Sequence, residues 1–127
     1  MILCDTDILI EFYKNNALII RELKHIGQIN MSVSAITQAE LYFGALDKRE
    51  LKKIDKHLTT ISRFALDNAI SECFLLLMKT YSLSHKIGLP DALIAATALV
   101  HGASLYTLNI KHFQFIPQLK LHKPVTY

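Results

Sequence analysis

An apolar run opens the chain, and two carboxylates, Asp5 and Asp7, are set into it. Residues 2–5 (ILCD) read as a short buried strand. Thr6 or Asp7 is expected to cap a helix that reaches about Lys14, where Asn15 and Asn16 break it. A second helix fits 17–26 and stops at Gly27, a favourable residue just past a helix end. Period-two character at 29–34 (INMSVS) predicts a strand, and 35–46 then reads as helical. Over 48–62, Leu51, Ile54, Leu58 and Ile61 recur at helical spacing with lysines and an arginine between them, an amphipathic helix. A short strand at 64–66 and a long helix over 68–87 follow. The next helix opens with Pro90 and Asp91 and closes before Gly102. A strand at 104–108, a single helical turn at 110–113 and an extended terminal segment at 121–127 complete the pattern. Strands alternating with helices predict an α/β fold, a three-layer α/β/α sandwich around a mostly parallel central sheet.

Composition narrows the class. With 127 residues, 51% hydrophobic and 20% charged, the chain has the makings of one globular domain over 1–127, not of a disordered segment. Its apolar runs fall short of the roughly 20 residues that span a bilayer, so no membrane role is expected. The opening segment does not read as a signal peptide, because Asp5 and Asp7 interrupt it and no basic leader precedes it. Two cysteines, Cys4 and Cys73, are too few to staple such a chain, and reduced thiols in a cytoplasmic protein are expected. The net charge of +3 is compatible with a polyanionic partner without predicting one.

In a parallel sheet, ligands collect at the carboxyl ends of the strands. Asp5 ends the first strand, Asn109 follows the strand at 104–108, Asp91 opens the helix before that strand, and Glu40 lies in the helix after 29–34. Taken singly, most have structural explanations: Asp91 complements a helix dipole, Asp7 caps a helix, and Asn109 suits a turn. Glu40 is harder to dismiss, because Ile36 and Phe43 share its helical face, and a carboxylate there needs a cation or a donor. Carboxylate and amide oxygens suit Mg²⁺ or Mn²⁺. The six histidines show no ligand spacing: His25, His57, His85, His101 and His122 read as surface or helix-end residues, and only His112 falls near the acids. Neither a Gly-rich phosphate loop nor a Gly-x-Ser-x-Gly elbow occurs. Pattern alone therefore reaches an acidic metal site on an α/β domain.

Four segments, LCDTDILIEF, SVSAITQAELYFGA, LPDALIAATALVHGASLYTLNIKHF and IPQLKL, resemble the PIN-domain ribonucleases, in particular the VapC-type toxins of toxin–antitoxin pairs. The third is the most specific, a composite of acid, alanine-rich helix, Gly, strand and TLNIKHF; residues 47–87 match only in being helical. The resemblance implies that Asp5, Glu40 and Asp91 are the core acids of a Mg²⁺ or Mn²⁺ site. Asn109 stands where many relatives carry a fourth acid, and Asp7 where Asn is common, so Asp7 is either a cap or a replacement for the charge that Asn109 lacks. Thr6 and Thr107 are placed to orient the acids or a bound water, and Lys111 and His112 to hold substrate. The implied activity is metal-assisted hydrolysis of phosphodiester bonds in single-stranded or loop RNA. The implied partners are an RNA substrate, a cognate antitoxin and a second copy in a homodimer.

Two other readings stay open on the sequence. Asp5-Thr6-Asp7 also looks like the Asp-x-Asp start of haloacid-dehalogenase-like phosphatases, although the later acid pair of that family has no counterpart beyond Asn109. A non-catalytic module that binds RNA or protein is the other, favoured by Asn109. Lys48, Lys52 and Lys56 form a stripe at i, i+4 and i+8, with Arg49 and Lys53 beside it, and such a stripe is ordinarily a solvated face.

Overall fold

The computed structural model describes residues 1–125. Its central sheet contains β1 (Ile2–Cys4), β2 (Met31–Ser34), β3 (Ser62–Phe64) and β4 (Ser104–Tyr106), in the order β3-β2-β1-β4. All three pairings are parallel, so the sheet is parallel throughout where a mostly parallel one was predicted. Six helices connect the strands: α1 (Thr6–Tyr13), α2 (Ala17–Ile26), α3 (Ala35–Phe43), α4 (Lys48–Leu58), α5 (Asn68–Tyr81) and α6 (Leu89–His101). Among the described residues no helix is long and apolar enough to cross a membrane.

Alternation along the strands divides the core into two apolar layers. Leu3 and Leu105 face α5 and α6, joining Ile70, Leu77, Ile94 and Phe113. Cys4, Met31, Val33 and Tyr106 face the other way, joining Ile8, Leu9, Leu23, Leu41, Ile54 and Leu58. These two layers on either side of one sheet are the predicted α/β/α sandwich. Along α6, Ala92, Ala95, Ala96 and Ala98 are fully buried, and their small side chains allow the close approach of α5. The helix ends at Gly102, whose φ of 61° suits a residue without Cβ.

Several boundaries differ from the pattern, each for a local reason. β1 stops at Cys4 because Asp5 takes the N-cap of α1, so neither Thr6 nor Asp7 is the cap. β2 begins only at Met31; residues Gln28–Asn30 form a 3-10 turn in which the Asn30 amide reaches the Ile26 carbonyl at 2.9 Å. α3 ends at Phe43, short of residue 46. α4 ends at Leu58 because the Thr59 and Thr60 hydroxyls turn back onto the carbonyls of Lys56 and His57, freeing the chain to form β3 at 62–64 in place of the strand expected at 64–66. α5 stops at Tyr81, since Leu83 and the polar residues beside it find nothing to bury against and Lys86 turns left-handed at φ 52°. The strand predicted at 104–108 covers 104–106, releasing Thr107, Leu108 and Asn109 into a loop.

Of the terminal segment expected over 121–127, Leu121 pairs with Leu105 beside β4, and 126–127 lie outside the described residues. Of the histidines read as surface or helix-end residues, His57 is at the end of α4 but not on the surface, and His122 departs from both. His57 is half-buried, stacked on Phe12, with Nδ1 2.8 Å from the Tyr13 hydroxyl. His122 sits 2.7 Å from the carboxylate of Glu22, a residue with no exposure.

Candidate active site

The carboxyl ends of β1 and β4 lie side by side, and the chain leaving each brings a polar side chain to the same place. The Asp5 backbone N–H donates to the Tyr106 carbonyl at 2.9 Å, fixing the residue at the junction. Its side chain, in a residue only 5% exposed, is bound at both oxygens. The Thr6 N–H donates to Oδ1 and the Thr107 hydroxyl to Oδ2, each at 2.8 Å. The first is a helix N-terminal amide, the ordinary partner of an anion at that position.

Thr6 does a second thing. Its hydroxyl lies 2.7 Å from Glu40 Oε1 and thereby joins α1 to α3, across a gap of 34 residues. Glu40 is half-buried, yet not for the reason the pattern suggested: Ile36 packs into the core, but Phe43 is 93% exposed. The donor that Glu40 requires is Thr6. Beneath both, Thr37 Oγ1 is 3.1 Å from Thr6 Oγ1 in a residue with no exposure.

Asp7 stands in the first turn of α1 and pins the loop after β4. Its Oδ2 accepts from the Leu108 N–H and the Asn109 side-chain amide, both at 3.0 Å, with the Thr107 hydroxyl at 3.4 Å. Its Oδ1 is buried and has no hydrogen-bond partner among the described residues. The Asn109 N–H donates to Thr107 Oγ1 at 3.0 Å, which closes the loop on itself. Asp91 occupies the first turn of α6, as its position beside Pro90 predicts, and Nδ1 of His112 is 3.1 Å from its Oδ2. Lys111 is exposed in the adjoining turn. The lysines at 48, 52 and 56 are all exposed on α4, as a solvated face would have them.

The electrostatics follow from this crowding. The carboxyl of Asp5 is pushed up to about 6, first by burial and then by the negative charges of Asp7 and Asp91; the hydrogen bonds from Thr107 and Thr6 offset only part of this. Burial likewise raises Asp7, while the hydrogen bonds from Leu108 and Thr107 lower it. The thiol of Cys4, behind the acids, is pushed up to about 12 by burial and then by Asp5 and Asp7, which leaves it neutral. No lysine or arginine forms a salt bridge with Asp5, Asp7, Glu40 or Asp91 among the described residues. The acids also are not set as a finished ligand group: no three Asp, Glu, His or Cys side chains among those residues form a metal cluster. An all-oxygen donor set with one orphaned carboxylate oxygen fits a hard divalent ion such as Mg²⁺ or Mn²⁺.

Thr37 is the residue that sequence reasoning passed over. The available signal was a hydroxyl three positions before Glu40 on one helical face, but only the fold reveals that it meets Thr6.

Comparison with known proteins bears on the same residues. Positions 2–115, which include every side chain just described, match the PIN domain family. Ribonuclease VapC10 of Mycobacterium tuberculosis is 35% identical over 91 residues, covering 71% of this chain and 68% of that protein. Ribonuclease VapC1 of Rickettsia felis is 32% identical over 130 residues, covering 94% and 93%. Among solved structures, a chain of a toxin–antitoxin complex from Klebsiella pneumoniae superposes with a TM-score of 0.82 at 29% identity, covering 98% of this chain and all of that one.

Proposed function

This chain belongs to the PIN-domain family, among its VapC ribonucleases, and from that premise we propose that it is a divalent-metal-dependent endoribonuclease, the toxin of a toxin–antitoxin pair. Family membership removes the phosphatase reading, in which Asp5 would be a covalent nucleophile. The observation that carries the proposal is Asp5 itself: a buried carboxylate raised to about 6, with no lysine or arginine salt bridge among the described residues, at the meeting of two parallel strands with Asp7 and Asp91 adding charge.

Asp5, Glu40 and Asp91 are the proposed metal ligands, with Asn109 contributing a neutral amide oxygen and Asp7 holding that amide in place or adding a fifth oxygen. When bound there, Mg²⁺ or Mn²⁺ supplies Lewis acidity, lowering the pKa of a water and offsetting charge on phosphate oxygens. The protein's own work is positional. Thr6 N–H and Thr107 hydroxyl keep Asp5 from rotating away, and the Thr6 hydroxyl sets the rotamer of Glu40. A carboxylate of this group not engaged with the cation takes the proton from the attacking water. Lys111 and His112, exposed at the rim beside Asp91, face the phosphates of RNA, and the flexible, unpaired stretches of RNA are the substrate that such an open rim admits. The other proposed partners are an antitoxin protein and a second copy of the chain, in the cytoplasm.

The test is direct. Purified protein is incubated with structured RNA in Mn²⁺ and in chelator, beside an Asp5→Asn variant. Cleavage is expected only for the unaltered protein with Mn²⁺, with the 5′ ends of the products identifying the target. Binding of RNA without cleavage under all three conditions would instead support the non-catalytic module, the reading that Asn109 favours.

A further inference from the structure

We infer that Thr37 is a positioning residue for the active site, acting through a directed chain of hydroxyls, Thr37 to Thr6 to Glu40. The inference deepens the proposed function, since it rests on Glu40 being a metal ligand.

Proton counting gives the direction. The Thr6 hydroxyl has one hydrogen and two oxygen neighbours, Glu40 Oε1 at 2.7 Å and Thr37 Oγ1 at 3.1 Å. A carboxylate oxygen can only accept, and the shorter contact is the one to the charged group, so the Thr6 hydrogen belongs to Glu40. The remaining contact is then satisfied only if Thr37 donates to Thr6. Thr37 has no exposure to solvent, and Thr6 is the hydrogen-bond neighbour of its hydroxyl among the described residues, so its hydrogen is committed there. Each donor in such a chain polarises the next, and the outcome is a stronger and better-aimed bond at Glu40.

The backbone explains why Thr37 is rigid enough for this. Ser34 caps α3, and its hydroxyl accepts from the Thr37 N–H at 3.1 Å, so Thr37 sits in the first turn with its backbone anchored. Being β-branched, it has few rotamers to choose from. Thr6 in turn is anchored by its own N–H on Asp5. One residue, Thr6, therefore couples the acid that caps α1 to the acid on α3, and Thr37 decides which way its hydroxyl points. This is the role that outer partners of metal ligands play elsewhere, where their loss typically weakens metal binding or activity by about 10–100-fold.

The test separates hydroxyl from shape. Thr37→Val keeps the branched volume and loses the hydroxyl; Thr37→Ser keeps the hydroxyl and loses a methyl. Mn²⁺ binding to the full chain is measured by titration calorimetry, together with RNA cleavage and melting temperature, for both variants, the unaltered protein and Glu40→Gln. The expectation is that Thr37→Val binds Mn²⁺ about tenfold more weakly, while Thr37→Ser stays within about twofold and restores cleavage. A packing role predicts the opposite order, with Thr37→Ser the more damaged, and that result overturns the inference, as does normal Mn²⁺ binding by Thr37→Val. If Thr37→Val does not fold, Thr37→Ala against Thr37→Ser gives the same contrast, a single hydroxyl. Glu40→Gln distinguishes the two levels: normal Mn²⁺ binding by that variant removes Glu40 from the metal site and the inference with it. Weakened binding by Glu40→Gln beside normal binding by Thr37→Val removes the inference alone.

Discussion

Two acids are buried in this protein, and the fold treats them differently. Glu22, on α2, has no exposure; His122 Nε2 lies 2.7 Å from its Oε2, and the Val125 N–H donates to its Oε1 at 3.1 Å. It ties the C-terminal segment down over α2 and beside Tyr106, whose hydroxyl is pushed up to about 12 by burial and then by Glu22. Asp5, at the end of β1, has only hydroxyl and amide partners, and the groups nearest it with charge are Asp7 and Asp91. One acid has a ring beside it that is able to carry positive charge; the other is surrounded by its own sign. A buried carboxylate of the first kind serves the fold, and one of the second kind serves something that arrives from outside.

That contrast can be broken most forcefully at Asp5. Asp5→Asn is expected to reduce RNA cleavage by more than about a thousandfold, some 4 kcal/mol in the barrier, without lowering the melting temperature. A variant that unfolds would return Asp5 to the structural class of Glu22. The mirror experiment is His122→Ala, which removes one of the partners of the buried Glu22. It is expected to cost roughly 3–5 kcal/mol of stability in a denaturant titration, with cleavage per folded molecule unchanged.

A third experiment uses pH on the metal-free protein. Folded Asp5 keeps its proton up to about 6, whereas the unfolded chain releases it near the ordinary value of 3.8. Between these values the native state binds more protons than the unfolded one, so stability falls as pH rises through the window. The loss is about 3 kcal/mol at most, and Asp5→Asn is expected to flatten it. Stability rising over the same interval would contradict the assignment of an unpaired carboxyl. The smallest effect is the gain on adding Mn²⁺, about 2.7 kcal/mol at a hundred times the dissociation constant, read as a raised melting temperature. Asp5→Asn is expected to lose this gain and His122→Ala to keep it.

Much of this was legible in the residues. The alternation of apolar strands and amphipathic helices led to the α/β/α sandwich, because period in the chain is period on a face. Asp5, Glu40, Asp91 and Asn109 stood out as polar groups at strand ends or on apolar neighbours. The element boundaries were less legible, since α4 and α5 stop where the Thr59 and Thr60 hydroxyls turn back or where no partner surface remains for Leu83. Glu22 gave no warning. It lies among the basic residues Arg21, Lys24 and His25, and the imidazole beside it comes from a hundred residues away.

The division has a physical cause. Local sequence determines what a segment can bury and where a helix starts and stops, because those depend on neighbours within a few positions. Which donor meets which acid depends on contacts between residues 31 to 103 positions apart: Thr6 with Glu40 and Thr37, Thr107 with Asp5, Asn109 with Asp7, His122 and Val125 with Glu22. Only the packed sheet brings those pairs together. It also separates Asp5 from Asp7, two positions apart in the chain: the first is the cap of α1 and the buried acid at the strand junction, the second the anchor of the loop that carries Asn109.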